Sequence, residues 1–239
     1  MDTRRILVCE DEDAIREFVV INLQRAGYEV VDVASGEEAL AVYDREEGRF
    51  GMALLDIMMP GIDGLAVCKQ LRARDSRIGI ILLSAKSQEM DKVGGLMQGA
   101  DDYVTKPFSP MELVARVDAV FRRVGGGTEA AKAEPDTELR SGPFVLNLRS
   151  RTLTKGSQRI DLTQVEFQLM EQFLRNPNVA LDRSQLLSTV WGEGYFGDDK
   201  IVDVNMRRLR MKIEDEPSKP QYLTTVWGFG YKWMDDSQE

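Results

Sequence analysis

Ala53-Leu54-Leu55-Asp56-Ile57-Met58-Met59-Pro60-Gly61-Ile62-Asp63-Gly64 is an apolar run that stops on a single carboxylate and then breaks at Pro60-Gly61. A short apolar run bounded by turn residues reads as a strand covered on both faces of a parallel sheet. Asp56 then stands at the strand's C-terminal end, the edge where open α/β sheets hold their ligands. One Asp in that position often does no more than cap the next helix. Its meaning depends on what the other strand ends carry.

Toward the N-terminus, Ile6 to Cys9 is a short apolar strand followed at once by Glu10-Asp11-Glu12-Asp13. Glu12 and Asp13 suit the positive end of a helix whose apolar positions Ile15, Phe18, Val19 and Leu23 share one face and which Gly27 stops. Tyr28 to Ala34 reads as a second strand, and Ser35-Gly36-Glu37-Glu38 has the spacing of a capping box. Beyond Asp56 the pattern predicts a helix from Gly64 to Arg74, a strand over Ile78 to Leu83 ending on Ser84-Ala85, and a Gly-interrupted helix over Glu89 to Gln98. Asp102 to Thr105 is a fifth strand ending in Lys106-Pro107-Phe108, and Pro110 opens a helix lasting to Arg123. Repeated β-then-α units without hairpin signals imply a parallel, doubly wound sheet of the flavodoxin-like kind.

Right-handed crossovers put the strand ends along one edge, so Glu10-Asp11, Asp56, Ser84 and Lys106 converge there. Crowded carboxylates repel one another unless a cation joins them, and oxygen ligands with room for water suit Mg²⁺. Lys106 can pair with an incoming phosphoryl group, Ser84 can donate a hydrogen bond, and Asp56 is left as the nucleophile.

On these residues, the stretch from residue 4 to residue 123 resembles the receiver domain of two-component response regulators. The resemblance implies phosphotransfer to Asp56 from a partner sensor histidine kinase, Mg²⁺ held by Asp11, Asp56 and the Met58 carbonyl with Glu10 acting through water, and a cis bond at Lys106-Pro107. It also implies a switch in which Ser84 reorients and the Tyr103 ring turns inward, and a lifetime tuned by Met58 and Lys86. Haloacid-dehalogenase-type phosphatases also use a strand-end Asp, but they place a general acid two residues later, where this chain has Met58. An acyl phosphate formed here lacks a dedicated acid for turnover, which implies slow loss and a regulator rather than an enzyme.

Composition agrees. The 239 residues, 43% of them apolar, suffice for two cores, and no run approaches the roughly 20 residues of a membrane helix. A cytoplasmic protein without membrane contact is the expectation, with Cys9 and Cys68 as reduced core residues. There is no histidine, which excludes a Ser-His-Asp hydrolase and a phosphohistidine formed within this chain. The net charge of −9 lies mostly in the N-terminal half.

Three segments follow: residues 1–124 as the receiver, 125–140 as a flexible Gly/Ala/Glu/Pro tether, and 141–236 as a second domain. In the last, Phe144 to Leu148, Thr152 to Lys155 and Arg159 to Leu162 read as a small antiparallel sheet. Helices capped by Thr163 and Asp182 come next, then a helix over Lys200 to Ile213, then a hairpin of Tyr222 to Val226 with Gly230 to Trp233. Ile201-Val202-Asp203-Val204-Asn205-Met206-Arg207-Arg208-Leu209-Arg210 followed by Gly228-Phe229-Gly230-Tyr231 resembles the winged helix-turn-helix effector domain of OmpR/PhoB-type regulators.

At 100° per residue Val202, Met206, Leu209 and Ile213 point to a core, which leaves Lys200, Val204, Arg207, Arg208 and Met211 opposite, flanked by Asn205 and Lys212. Such a face suits the major groove of double-stranded promoter DNA. Trp227 stands where many relatives carry a wing Arg.

The family further implies a phosphorylation-dependent homodimer on tandem half-sites, its interface using Lys92, Asp101, Asp102, Glu112 and Arg116, with Lys92–Glu112 and Asp102–Arg116 as pairs. Gln98 and Asp118 depart from that pattern. The competing expectation is a regulator that acts without phosphate, or a module that binds RNA polymerase through Gly192 to Asp199.

Overall fold

The structure is a computed structural model, and it describes residues 4–85, 96–124, 137–193, 195 and 198–235. The chain divides into two compact units, Met1–Gly127 and Thr128–Glu239.

In the first unit, β1 (Arg5–Cys9), β2 (Glu29–Val33), β3 (Met52–Asp56), β4 (Gly79–Ala85) and β5 (Asp102–Lys106) form one sheet in the order β2-β1-β3-β4-β5, all neighbours parallel. Every residue of β3 is buried, as an apolar run covered on both faces requires. Edge strand β2 instead exposes Glu29 and Asp32, charges that discourage pairing with another chain.

Helices α1 (Asp13–Arg25), α2 (Gly36–Arg45) and α3 (Gly64–Arg74) supply the crossovers from β1 through to β4, and α4 (Pro110–Val124) follows β5. Of the helix expected over Glu89 to Gln98, residues 86–95 lie outside the described residues and residues 96–98 are helical. Core residues Ile6, Val19, Leu54, Leu83, Val104 and Val117 come from both the sheet and the helices packed on it. Phe18 stays 37% exposed rather than joining them; its ring sits 6.1 Å from that of Phe108. The capping box at α2 is half formed. Ser35 Oγ accepts the Glu38 amide at 3.3 Å, but the Glu38 carboxylate reaches back one residue further, to the Ala34 amide at 3.1 Å.

The second unit begins with an antiparallel sheet, β6 (Glu138–Ser141), β7 (Phe144–Asn147), β8 (Thr152–Lys155) and β9 (Gln158–Ile160), paired in that order. Strand β6 starts inside the stretch 125–140 read as tether, which corrects that boundary. Its Leu139 pairs opposite Leu146, and its Ser141 hydroxyl accepts the buried Trp233 indole N–H at 2.8 Å, the kind of partner a buried indole needs. Helices α5 (Gln164–Arg175), α6 (Arg183–Trp191) and α7 (Lys200–Ile213) follow. A second sheet, unforeseen in its first strand, orders β10 (Ala180–Asp182), β12 (Gly230–Trp233) and β11 (Leu223–Val226). Three residues cannot show a period, so β10 was invisible to pattern reading.

Candidate functional site

The parallel register aligns the C-terminal ends of β1, β3, β4 and β5. Asp56 lies opposite Leu83, and Ala85 opposite Lys106. Glu10 follows β1 directly and is fully buried, Asp56 is 4% exposed, and the Lys106 ammonium sits between them. Its Nζ lies 2.9 and 2.7 Å from the two Glu10 oxygens and 3.0 Å from Asp56 Oδ2. One oxygen from each of Glu10, Asp11 and Asp56 lies within 4.8 Å of the others.

Burial, reinforced by Asp56 nearby, pushes the Glu10 carboxyl up to about 7 against the pull of Lys106. Burial also works against the Lys106 charge, but hydrogen bonds to Glu10 and Asp56 outweigh it and hold the ammonium above its ordinary value. One ammonium among three carboxylates leaves the cluster short of positive charge. Glu10 Oε2 has the ammonium beside it without an aligned hydrogen bond. An all-oxygen donor set with that deficit fits a hard divalent cation.

Ser84 is fully buried and its Oγ donates to the Ala85 carbonyl at 3.2 Å. Tyr103 is buried, 7% exposed. Met58 projects its side chain into solvent two residues after Asp56, and Lys106-Pro107 is cis. Lys86 lies outside the described residues.

Sequence reasoning missed what fixes the loop 57–63. A Cβ on Gly64 would stand 2.0 Å from the Asp56 carbonyl oxygen, so only glycine lets the first turn of α3 fold back on the phosphoacceptor candidate. Read only as the start of a helix, Gly64 carried no such signal; Asp63 caps α3, accepting the Ala66 amide at 2.7 Å.

In the second unit, α7 exposes Lys200, Arg207 and Met211 along one stripe. Of the other expected DNA contacts, Val204, Asn205 and Arg208 are buried, while Lys212 is exposed but ion-paired within the unit. Asn205 is fully buried, donating to Ile201 O at 2.8 Å and accepting from Arg208 at 3.3 Å. Arg208 lies 2.9 Å from Glu166 of α5, and Lys212 lies 2.6 Å from Glu166 while donating to Asp161 O at 2.8 Å. Val204 is 8% exposed.

The physical reason is Glu166. It closes a capping box with Thr163, so its carboxylate is fully buried, and such a charge must find cations. Burial pushes its carboxyl up, but Arg208, Lys212 and the Thr163 amide together outweigh burial and hold it below the usual range. Arg210 is also committed, to Leu223 O and Thr225 Oγ1, both at 2.8 Å. Asp203 accepts from Arg183 at 2.8 Å and from the Tyr231 hydroxyl at 2.6 Å, which ties α6, α7 and β12 together. Trp227 stands 92% exposed at the hairpin tip.

Residues 6–118 match the family model described as a response regulator receiver domain, and residues 157–233 match that of a transcriptional regulatory protein, C terminal. The chain belongs to the two-component response regulators. The sensory transduction protein RegX3 of Mycolicibacterium smegmatis is 43% identical over 227 residues, covering 95% of this chain and 97% of that protein. Its namesake in Mycobacterium tuberculosis strain H37Rv is 44% identical with the same coverage. The solved structure of a RitR mutant superposes with a TM-score of 0.77 at 26% identity, covering 97% of this chain and 99% of that one.

The response regulator's expected interface residues pair within its own chain. Arg116 Nη1 lies 3.1 Å from Asp102 and Nη2 3.1 Å from Glu112. Asp101 is 1% exposed, and Arg72 Nη2 and the Ile80 amide reach its Oδ2 at 2.9 and 2.8 Å. That corrects its placement at an interface, since a carboxylate so buried is already committed inside the domain. Lys92, and with it the Lys92–Glu112 pair, lies outside the described residues. No helix among the described residues is long and apolar enough to cross a membrane.

Proposed function

We propose that Asp56 accepts a phosphoryl group from a sensor histidine kinase and that the modified regulator dimerises and binds promoter DNA. The observation that carries this is the Lys106 ammonium spanning Glu10 and Asp56 at a sheet edge where three carboxylates converge.

An Asp56 oxygen attacks phosphorus as the donor's P–N bond breaks, and the departing imidazole keeps the electron pair and takes up a proton. With no histidine in this chain, the donor belongs to another protein. Lys106 is already within ion-pair reach of Asp56 and follows the charge from carboxylate to phosphoryl oxygen. Ser84 must leave the Ala85 carbonyl to donate to the new group, which couples phosphorylation to β4 and, through Tyr103, to β5. Glu10, Asp11 and Asp56, with the Met58 carbonyl, would hold Mg²⁺, which when bound supplies the missing positive charge. Without an acid at position 58, loss of the phosphoryl group is slow and the chain is no dedicated enzyme.

In the DNA-binding unit, Lys200 and Arg207, exposed cations of α7 that do not share the Glu166 carboxylate with Arg208 and Lys212, are proposed to meet the major groove. Val204, Asn205, Arg208 and Lys212 instead shape the helix that presents them. Arg207→Ala is expected to weaken binding to a selected duplex by about tenfold or more in a fluorescence anisotropy titration. Arg208→Ala is expected to lower the domain's melting temperature as well, because it strips a buried carboxylate of its partner.

Light scattering of the full chain with Mg²⁺, before and after beryllofluoride, tests the coupling. A monomer-to-dimer shift in wild type and none in Asp56→Asn is the expected result; no shift in either would refute dimerisation as the output.

A further inference from the structure

The loop 57–63 is braced from outside the pocket by the start of α2. Gly36 packs so close that a Cβ there would stand 2.2 Å from the Ile62 carbonyl oxygen. Next to it, the Glu37 carboxylate accepts the Ile62 amide through Oε1 at 3.0 Å. At Gly61, where φ is +77°, a Cβ would meet that same Glu37 oxygen at 2.6 Å. The preceding residue joins in: the Cys9 thiol lies 3.2 Å from Ser35 O and 3.4 Å from Met59 Sδ, linking β1, the α2 cap and the loop. Ser35, Gly36 and Glu37 in succession thus hold a segment that begins directly after Asp56 and includes Met58.

We infer that Glu37, admitted to the loop by Gly36, is a positioning residue for the Asp56 site: it fixes the backbone of 57–63 and with it the oxygen ligands that the loop presents to a divalent cation. This rests on the reading of Asp56 as the phosphoacceptor. Glu37 is exposed and acts from outside the pocket, so its effect travels through the Ile62 amide and the loop backbone. Removing the acceptor frees that amide and lets the loop sample other positions, so the Met58 carbonyl proposed as a ligand is no longer held in place. A backbone displacement of this kind weakens a site without unfolding the domain.

The test is the Mg²⁺ dissociation constant of the unphosphorylated full chain by isothermal titration calorimetry, with amide exchange at Ile62 and thermal melting alongside. Glu37→Ala is expected to weaken Mg²⁺ binding by about fivefold and speed exchange at Ile62 while leaving the melting temperature unchanged. Glu37→Gln, which keeps an acceptor oxygen, is expected to recover most of the affinity. Gly36→Ala, which forces the Ile62 carbonyl to move, is expected to weaken Mg²⁺ binding at least as much as Glu37→Ala. Mg²⁺ affinity equal to wild type in both Glu37→Ala and Gly36→Ala would overturn the brace while leaving the Asp56 site intact. A wild type that binds no Mg²⁺ at all would overturn the site reading and the brace with it.

Discussion

Glu166→Gln is expected to lower the stability of the DNA-binding unit by about 3 kcal/mol at neutral pH. The carboxylate is fully buried, and two cations of α7 converge on it at 2.9 and 2.6 Å. A neutral amide leaves Arg208, itself 6% exposed, without the charge that justified its burial. The pH dependence has a definite sign. Because the folded-state pKa lies below the ordinary carboxylate value of 4.5, the contribution of Glu166 is fully present above that pH and is lost as pH falls through the folded value. Wild type and variant should therefore differ most near neutrality and converge in acid. Urea unfolding followed by tryptophan fluorescence reports this directly, since Trp191, Trp227 and Trp233 all lie in this unit. A constant gap from neutral pH into acid would mean that Glu166 acts through shape rather than charge.

Gly64→Ala should cost the receiver about 2–3 kcal/mol and impair phosphorylation at the same time. The added methyl would stand 2.0 Å from the Asp56 carbonyl oxygen and 2.7 Å from its carbon, backbone atoms that no rotamer change can move aside. Relief requires shifting the start of α3 away from Asp56, so the defect in stability and the defect at the site share one cause. Thermal melting together with the rate of labelling by a small phosphoryl donor checks both; a melting temperature and rate equal to wild type would show that the loop has slack the packing denies.

Much of this is legible in the sequence. Strand ends that carry Glu10, Asp56, Ser84 and Lys106 follow from apolar runs that stop on polar residues, and crossover handedness alone brings them to one edge. The bounds of α3 and α7, and the glycine turns at 27 and 228, were likewise readable from caps and breakers.

The failures are of one kind. On a wheel, Asn205 and Arg208 lie away from the apolar seam and read as solvent-facing, yet both are buried, because a helix packed against two neighbours is covered on more than one side. Glu166 stands three residues after the cap Thr163, and nothing in that spacing announced that Arg208 and Lys212, three elements further along the chain, would be drawn to it. Asp101 is a similar case, held by Arg72 from across the domain. Periodicity reports which face is apolar; it does not report which polar side chains are consumed by long-range pairs.

The claim on which the account rests is that Asp56 is the phosphoacceptor. Intact and peptide-level mass spectrometry of the full chain after exposure to acetyl phosphate with Mg²⁺ tests it most directly. The account predicts one added phosphoryl group, on Asp56, with none on Asp56→Asn and none when Mg²⁺ is withheld. A phosphoryl group on another residue, undiminished in Asp56→Asn, would contradict it.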